Sequence, residues 1–119
     1  ADKQDLPVLN GGLVLKHNAN QHYTTDALSD AVFRELCRRA EVPVQRYSSR
    51  ADLPGGSTLG NISTSHLSIP SVDIGLPQLA MHSCCEVAGV RDTEALARVM
   101  TVYFATGMHR LPGGGMALA

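Results

Sequence analysis

The chain has 119 residues, enough for one modest domain and too few for two with separate cores, and with 44% hydrophobic and 18% charged residues its composition is globular rather than disordered. Its formal net charge of -1, without a long run of like charge, argues against a nucleic-acid or anionic-membrane surface, since Arg38-Arg39 is only a short cluster on a helix face. No apolar stretch approaches the roughly 20 residues that span a bilayer, and the polar start Ala1-Asp2-Lys3-Gln4-Asp5 is no secretory signal, so the expectation is a cytoplasmic protein.

Residues 1–12 show no periodicity and end in Asn10-Gly11-Gly12, a turn signal. Leu13, Val14 and Leu15 begin a strand that continues through Lys16, His17 and Asn18 and leaves the core as it turns polar. Lys16 thus sits at a strand end. It either anchors a carboxylate or reaches into solvent, and the residues alone leave both open. His17 and His22 would face opposite sides of one continuous strand and make no metal pair.

From Thr25 the spacing of Leu28, Ala31, Val32, Leu36 and Ala40 predicts a helix with one buried face, capped by Thr24 or Thr25 and stopped before Pro43. Cys37 falls on its apolar side as a reduced, buried thiol. Val42 and Val44 open a second strand through Tyr47. Strand, helix and strand in this length form a crossover unit. The fold class follows as α/β, part of a mixed or parallel central sheet flanked by helices.

In residues 50–60, Gly55 and Gly56 let the backbone approach a ligand, and Ser57 and Thr58 then cap a helix running to about His66. No lysine stands beside the Ser/Thr pair, which disfavours a nucleotide-hydrolysing loop; an oxyanion site and an ordinary capped turn stay open. After Pro70, the segment from Ser71 to Ile74 reads as a strand stopped by Gly75 and Pro77. It runs into a loop carrying His82. One imidazole is one metal ligand at most, so His82 is either a structural residue or part of a site completed elsewhere.

Cys84 and Cys85 are neighbours, an odd cysteine count leaves at least one thiol free, and no Cys-x-x-Cys is present, which excludes a zinc ribbon or a thioredoxin-like site. A nucleophilic Cys84 lacks a second group placed to orient it. Asp92 or Thr93 begins a last helix with Leu96, Val99, Met100 and Tyr103 on one side, widened by Val102 and Phe104 and ending near Gly107. The domain is expected over residues 1–107, and the glycine-rich residues 108–119 read as a flexible tail.

Three ordered stretches, LVLKHNANQHYTT, FRELCRRAEVPVQ and RADLPGGSTLGNISTSHLSIPSVDIGLPQLAMHS, resemble the carboxyl-terminal part of the catalytic domain of the aspartyl aminopeptidases, dinuclear zinc exopeptidases. The resemblance implies an α/β catalytic domain and removal of an amino-terminal Asp or Glu from a peptide substrate by zinc-activated water. It implies His82 as a zinc ligand and Lys16 facing the acidic side chain of the substrate. Tyr23 would hold the substrate or its transition state, and Gly55, Gly56, Ser57 and Thr58 would line the pocket.

Two departures stand out: Gly55 replaces a usual cysteine, and Cys85 replaces a common arginine, removing a positive charge near the site. The family's other zinc ligands and its general-base glutamate lie upstream of the matching stretch. The resemblance therefore implies a site of two zinc ions completed by the upstream half of the same domain, and a homo-oligomer. The alternative is a non-catalytic remnant that binds peptides or a partner subunit.

Overall fold

The computed structural model describes residues 6–18, 26–49 and 70–119. Strand β1 (Leu13–Asn18) is the centre of a three-stranded sheet, with β2 (Val44–Ser49) on one side and β3 (Ile74–Gly75) on the other. β1 and β2 run parallel, Leu13 opposite Val44 and Lys16 opposite Tyr47. β3 is antiparallel, with Leu15 opposite Ile74 and Val14 opposite Gly75. The sheet is mixed and the domain is α/β, as the strand, helix and strand succession predicts. A middle strand buried on both faces needs a continuous apolar run, and Leu13, Val14 and Leu15 supply it.

Helix α1 (Ala27–Ala40) makes the crossover between the parallel strands. Its cap is Asp26, whose carboxylate accepts the Ser29 amide hydrogen at 2.8 Å while the Ser29 hydroxyl accepts that of Asp26 at 2.9 Å. The expected caps, Thr24 and Thr25, lie outside the described residues. The buried stripe is Ser29, Phe33, Leu36, Cys37 and Ala40, rotated from the expected face, which placed Ala31 inside; Ala31 is exposed. Ser29 enters the stripe because the cap satisfies its hydroxyl. At the other end Glu41 takes a left-handed φ of 56°, letting the amide of Val42 reach the carbonyl of Cys37 at 2.9 Å and placing Val42 in the core ahead of Pro43.

Helix α2 (Val90–Ala105) packs against α1 and touches β1. It starts two residues before the earlier of the two expected starts. Gly89 at its N-cap has no side chain to offer, and the Asn10 Oδ1 atom takes that role by accepting the Arg91 amide hydrogen at 3.1 Å. Ala95 and Val99 meet Leu13, Leu15, Phe33, Leu36 and Cys37 in one core. Tyr103 and Phe104 continue the apolar pattern out of the core and are exposed, 41% and 78% respectively.

Between β3 and α2 the chain forms a short hairpin, β4 (Gln78–Leu79) against β5 (Val87–Ala88), with His82 in its connecting bend. Residues 108–119, expected as a flexible tail, also fold: β6 (Met108–Arg110) pairs with β7 (Met116–Leu118). The glycines that suggested fraying form the turn, with Gly114 and Gly115 at φ of 82° and 103°. Leu118 packs against the core, and Arg39 of α1 donates to the carbonyls of Leu118 and Ala119.

Candidate functional site

Lys16 stands at the end of β1 that leaves the core, with a quarter of its side chain exposed. Its ammonium lies 3.8 Å from the Asp73 carboxylate, and its amide donates to the Asp73 carbonyl at 3.0 Å. The antiparallel pairing that joins β1 to β3 also brings Gly75 under the lysine stem. A Cβ at Gly75 would lie 3.1 Å from Lys16 Cε, so the glycine leaves the stem room to lie across β3. Two stretches far apart in sequence, LKH and DIG, thus form one charged corner. The ammonium is partly exposed to water at this corner, a compact charge of the kind that attracts carboxylates.

The neighbouring residue His17 directs Nε2 at Asp30 of α1, 2.6 Å away, and Asp30 in turn accepts from Arg34 at 2.5 Å. This chain of contacts fixes the polar end of β1 to the crossover helix. The Asp30-Arg34 spacing of one helical turn is readable in the sequence; the reach of His17 across to it is not.

His82 is exposed and holds a φ of 69°, unusual for a residue with a side chain. The bend is tied at several points. The amide of Ser83 donates to the carbonyl of Ala80 at 3.0 Å, and that of His82 donates to the Glu86 carboxylate. Ser83 Oγ accepts the Cys85 amide at 3.2 Å and donates to the Cys85 carbonyl at 2.9 Å. Glu86 therefore shapes the backbone that presents the imidazole, a role its sequence position gives no hint of.

Tyr23, Gly55, Gly56, Ser57 and Thr58 lie outside the described residues. Among the described residues no three His, Cys, Asp or Glu side chains come together as a metal site. His82 with its neighbours does not complete a zinc site. It offers one imidazole on a constrained bend. A separate apolar groove of about 660 Å³ between α1, α2 and the last hairpin, lined by Phe33, Val72, Ile74, Met100 and Tyr103, contains neither Lys16 nor His82.

The mixed sheet with its βαβ crossover, packed against α1 and α2, is similar in fold to the catalytic domain of the M18 aminopeptidases. The chain is similar to Ape4 in the cryo-EM structure of the Ape4 and Nbr1 complex, with a TM-score of 0.83 and 36% identity over 87% of this chain and 20% of that one. It is also similar to the mApe1 dodecamer of S. cerevisiae, with a TM-score of 0.69 and 28% identity over 87% of this chain and 22% of that one.

The chain belongs to the aminopeptidase I zinc metalloprotease family, M18, whose sequence model matches residues 1–104. It is 48% identical over 115 residues to a probable M18 family aminopeptidase 2 of Pseudomonas syringae pv. syringae (strain B728a), a match covering 94% of this chain and 26% of that relative. The chain thus spans about a quarter of the length of the curated relatives it matches.

Proposed function

We propose that this chain supplies the carboxyl-terminal part of the catalytic domain of a metalloaminopeptidase that removes amino-terminal Asp or Glu from peptides. The observation that carries the reading is the corner formed by Lys16, Asp73 and Gly75. It sets a partly exposed ammonium at a strand end, the edge where α/β domains bind ligands. A compact lysine charge selects a side-chain carboxylate over a neutral side chain.

In this reading His82 is one zinc ligand, Lys16 faces the acidic side chain of the substrate, Tyr23 holds the substrate, and Gly55, Gly56, Ser57 and Thr58 line the pocket. Zinc, two ions in the complete site, supplies an activated water and polarises the scissile carbonyl. The remaining ligands and the general base come from the upstream half of the domain. The open bend around His82 fits a ligand presented outward to such a partner. A homo-oligomer accords with the dodecamer of mApe1, and a cytoplasmic setting accords with an odd cysteine count that includes an adjacent pair.

Zinc binding by competition with a chelating dye tests the metal assignment. The chain alone is expected to bind weakly, with tight binding restored by the upstream polypeptide and lost again in His82→Ala. Tight stoichiometric binding that survives His82→Ala would overturn it. In the reconstituted enzyme, Lys16→Met is expected to lower turnover of an Asp or Glu amide far more than that of a Leu amide. Equal losses would remove Lys16 from specificity.

A further inference from the structure

Cys84 and Cys85 are both exposed, free thiols in the bend between β4 and β5, outside any helix or ladder. Cys37, buried in the core, is the only other cysteine. The pair sits inside the set of bonds that shapes His82. Ser83 Oγ holds both the amide and the carbonyl of Cys85, and the Ser83 amide closes the turn from Ala80 that contains His82 at its left-handed φ. Glu86, on the far side of the pair, holds the His82 amide. Any change in the Cys84-Cys85 peptide therefore falls between the two anchors of the histidine.

We propose that Cys84 and Cys85 form a redox-responsive vicinal dithiol whose closure to a disulfide loosens the turn presenting His82. Consecutive Cα atoms lie about 3.8 Å apart across a trans peptide, below the usual disulfide span of about 4.4–6.8 Å. Because the peptide fixes that separation, the eight-membered ring between neighbours closes only by twisting the backbone torsions on either side of the Cys84-Cys85 peptide, and the twist pulls the Cys85 amide and carbonyl away from Ser83 Oγ. A strained, exposed disulfide is also easily reduced, which suits a reversible device rather than a staple.

Hydrogen peroxide is the oxidant. One Sγ, as thiolate, attacks a peroxide oxygen; the O–O bond breaks, a sulfenic acid forms and hydroxide leaves to take up a proton. The neighbouring Sγ then attacks the sulfenic sulfur, the S–O bond breaks, the S–S bond forms and water leaves. Two thiols give up two electrons, and one peroxide becomes two waters. A small dithiol reverses the change by exchange.

The proposal does not depend on zinc binding at His82, and its test uses the chain as it stands. Trypsin cleaves after Arg50 and Arg91, so residues 51–91 carry Cys84 and Cys85 without Cys37. After peroxide and acid quenching, this peptide is expected to lose the mass of two hydrogens and regain it with dithiothreitol. Cys84→Ser and Cys85→Ser, both at exposed positions, are expected to abolish the loss. Hydrogen exchange of the amides of residues 82–85 is expected to quicken in the oxidised chain. Chain-to-chain disulfides, oxygen additions alone or an unchanged peptide would overturn the dithiol, and unchanged exchange in the oxidised chain would overturn the link to His82.

Discussion

Asp92 Oδ1, in the first turn of α2, accepts the amide hydrogen of Gly12 at 3.0 Å, across 80 residues of chain. Its other oxygen accepts the amide of Asn10 at 2.8 Å, and the residue is completely buried. A buried carboxylate survives only where donors replace water, and here two backbone amides and the positive end of α2 do so. The lead-in to β1 is thereby fastened to the last helix, which fixes where the strand begins and so where Lys16 emerges.

Asp92→Ala leaves two amides without their acceptor and is expected to destabilise the fold by about 2–4 kcal/mol, seen as a lower urea midpoint with an unchanged slope. Asp92→Asn keeps one acceptor oxygen and is expected to lose about half as much. Equal losses in the two variants would mean that charge at the helix start, not the paired hydrogen bonds, is the main contribution.

Gly12 is constrained from the other side. Its φ is 106°, and a Cβ there would lie 2.1 Å from the Pro43 carbonyl oxygen, a backbone atom in the turn between α1 and β2. That same carbonyl accepts the Leu13 amide at 3.1 Å. Gly12→Ala is therefore expected to cost at least about 3 kcal/mol, combining backbone strain with displacement of the turn. Gly113→Ala, where a Cβ meets nothing, is the control and should leave the urea midpoint unchanged within error.

The parts of this fold written in local pattern are legible in the sequence: the β1 run, α1 stopped before Pro43, and the parallel return of β2. What escapes is non-local. Asp92 reads as a helix start because its partners lie at Asn10 and Gly12, far outside any window. Ser29 is absent from the expected apolar face because a polar side chain carries no hydrophobic period, although its hydroxyl is satisfied by the cap and it lies buried. The last hairpin reads as a tail because three-residue strands carry almost no periodicity. In the candidate site, Lys16 and the DIG segment are each visible, but their meeting is set by the register of β1 on β3. Glu86 is visible as a charge and invisible as the partner of the His82 amide.

Cys37 makes stability depend on alkaline pH. Burial pushes its thiol up from 9.0 to about 11, against a small opposing effect of Arg34. A folded value above the unfolded one contributes stability that is fully present below pH 9 and lost as the pH rises from 9 to about 11. The loss is expected to approach about 2–3 kcal/mol. Urea midpoints measured across this window should fall more steeply for the wild type than for Cys37→Ala. Parallel curves would show that the thiol ionises over the same pH range in the folded and unfolded states. With a thiol reagent under native conditions, two of the three cysteines, Cys84 and Cys85, are expected to react at once and Cys37 only on unfolding.

The exposed apolar end of α2 predicts self-association of the isolated chain. Tyr103 and Phe104 pack edge to face with ring centroids 5.1 Å apart, yet Phe104 is 78% exposed and so contributes little to the core. Beside them opens the groove lined by Met100 and Tyr103. An exposed aromatic pair next to an apolar groove gains free energy from whatever covers it, whether a second copy or the rest of a longer domain. Phe104→Ser is expected to change stability by less than about 1 kcal/mol while lowering the mass seen by light scattering. If Phe104→Ser leaves that mass unchanged, the association surface lies elsewhere, and Leu79 and Met81 on the His82 hairpin, both more than half exposed, become the next residues to replace. A wild-type chain that stays monomeric at high concentration would instead show that the α2 end does not drive association at all.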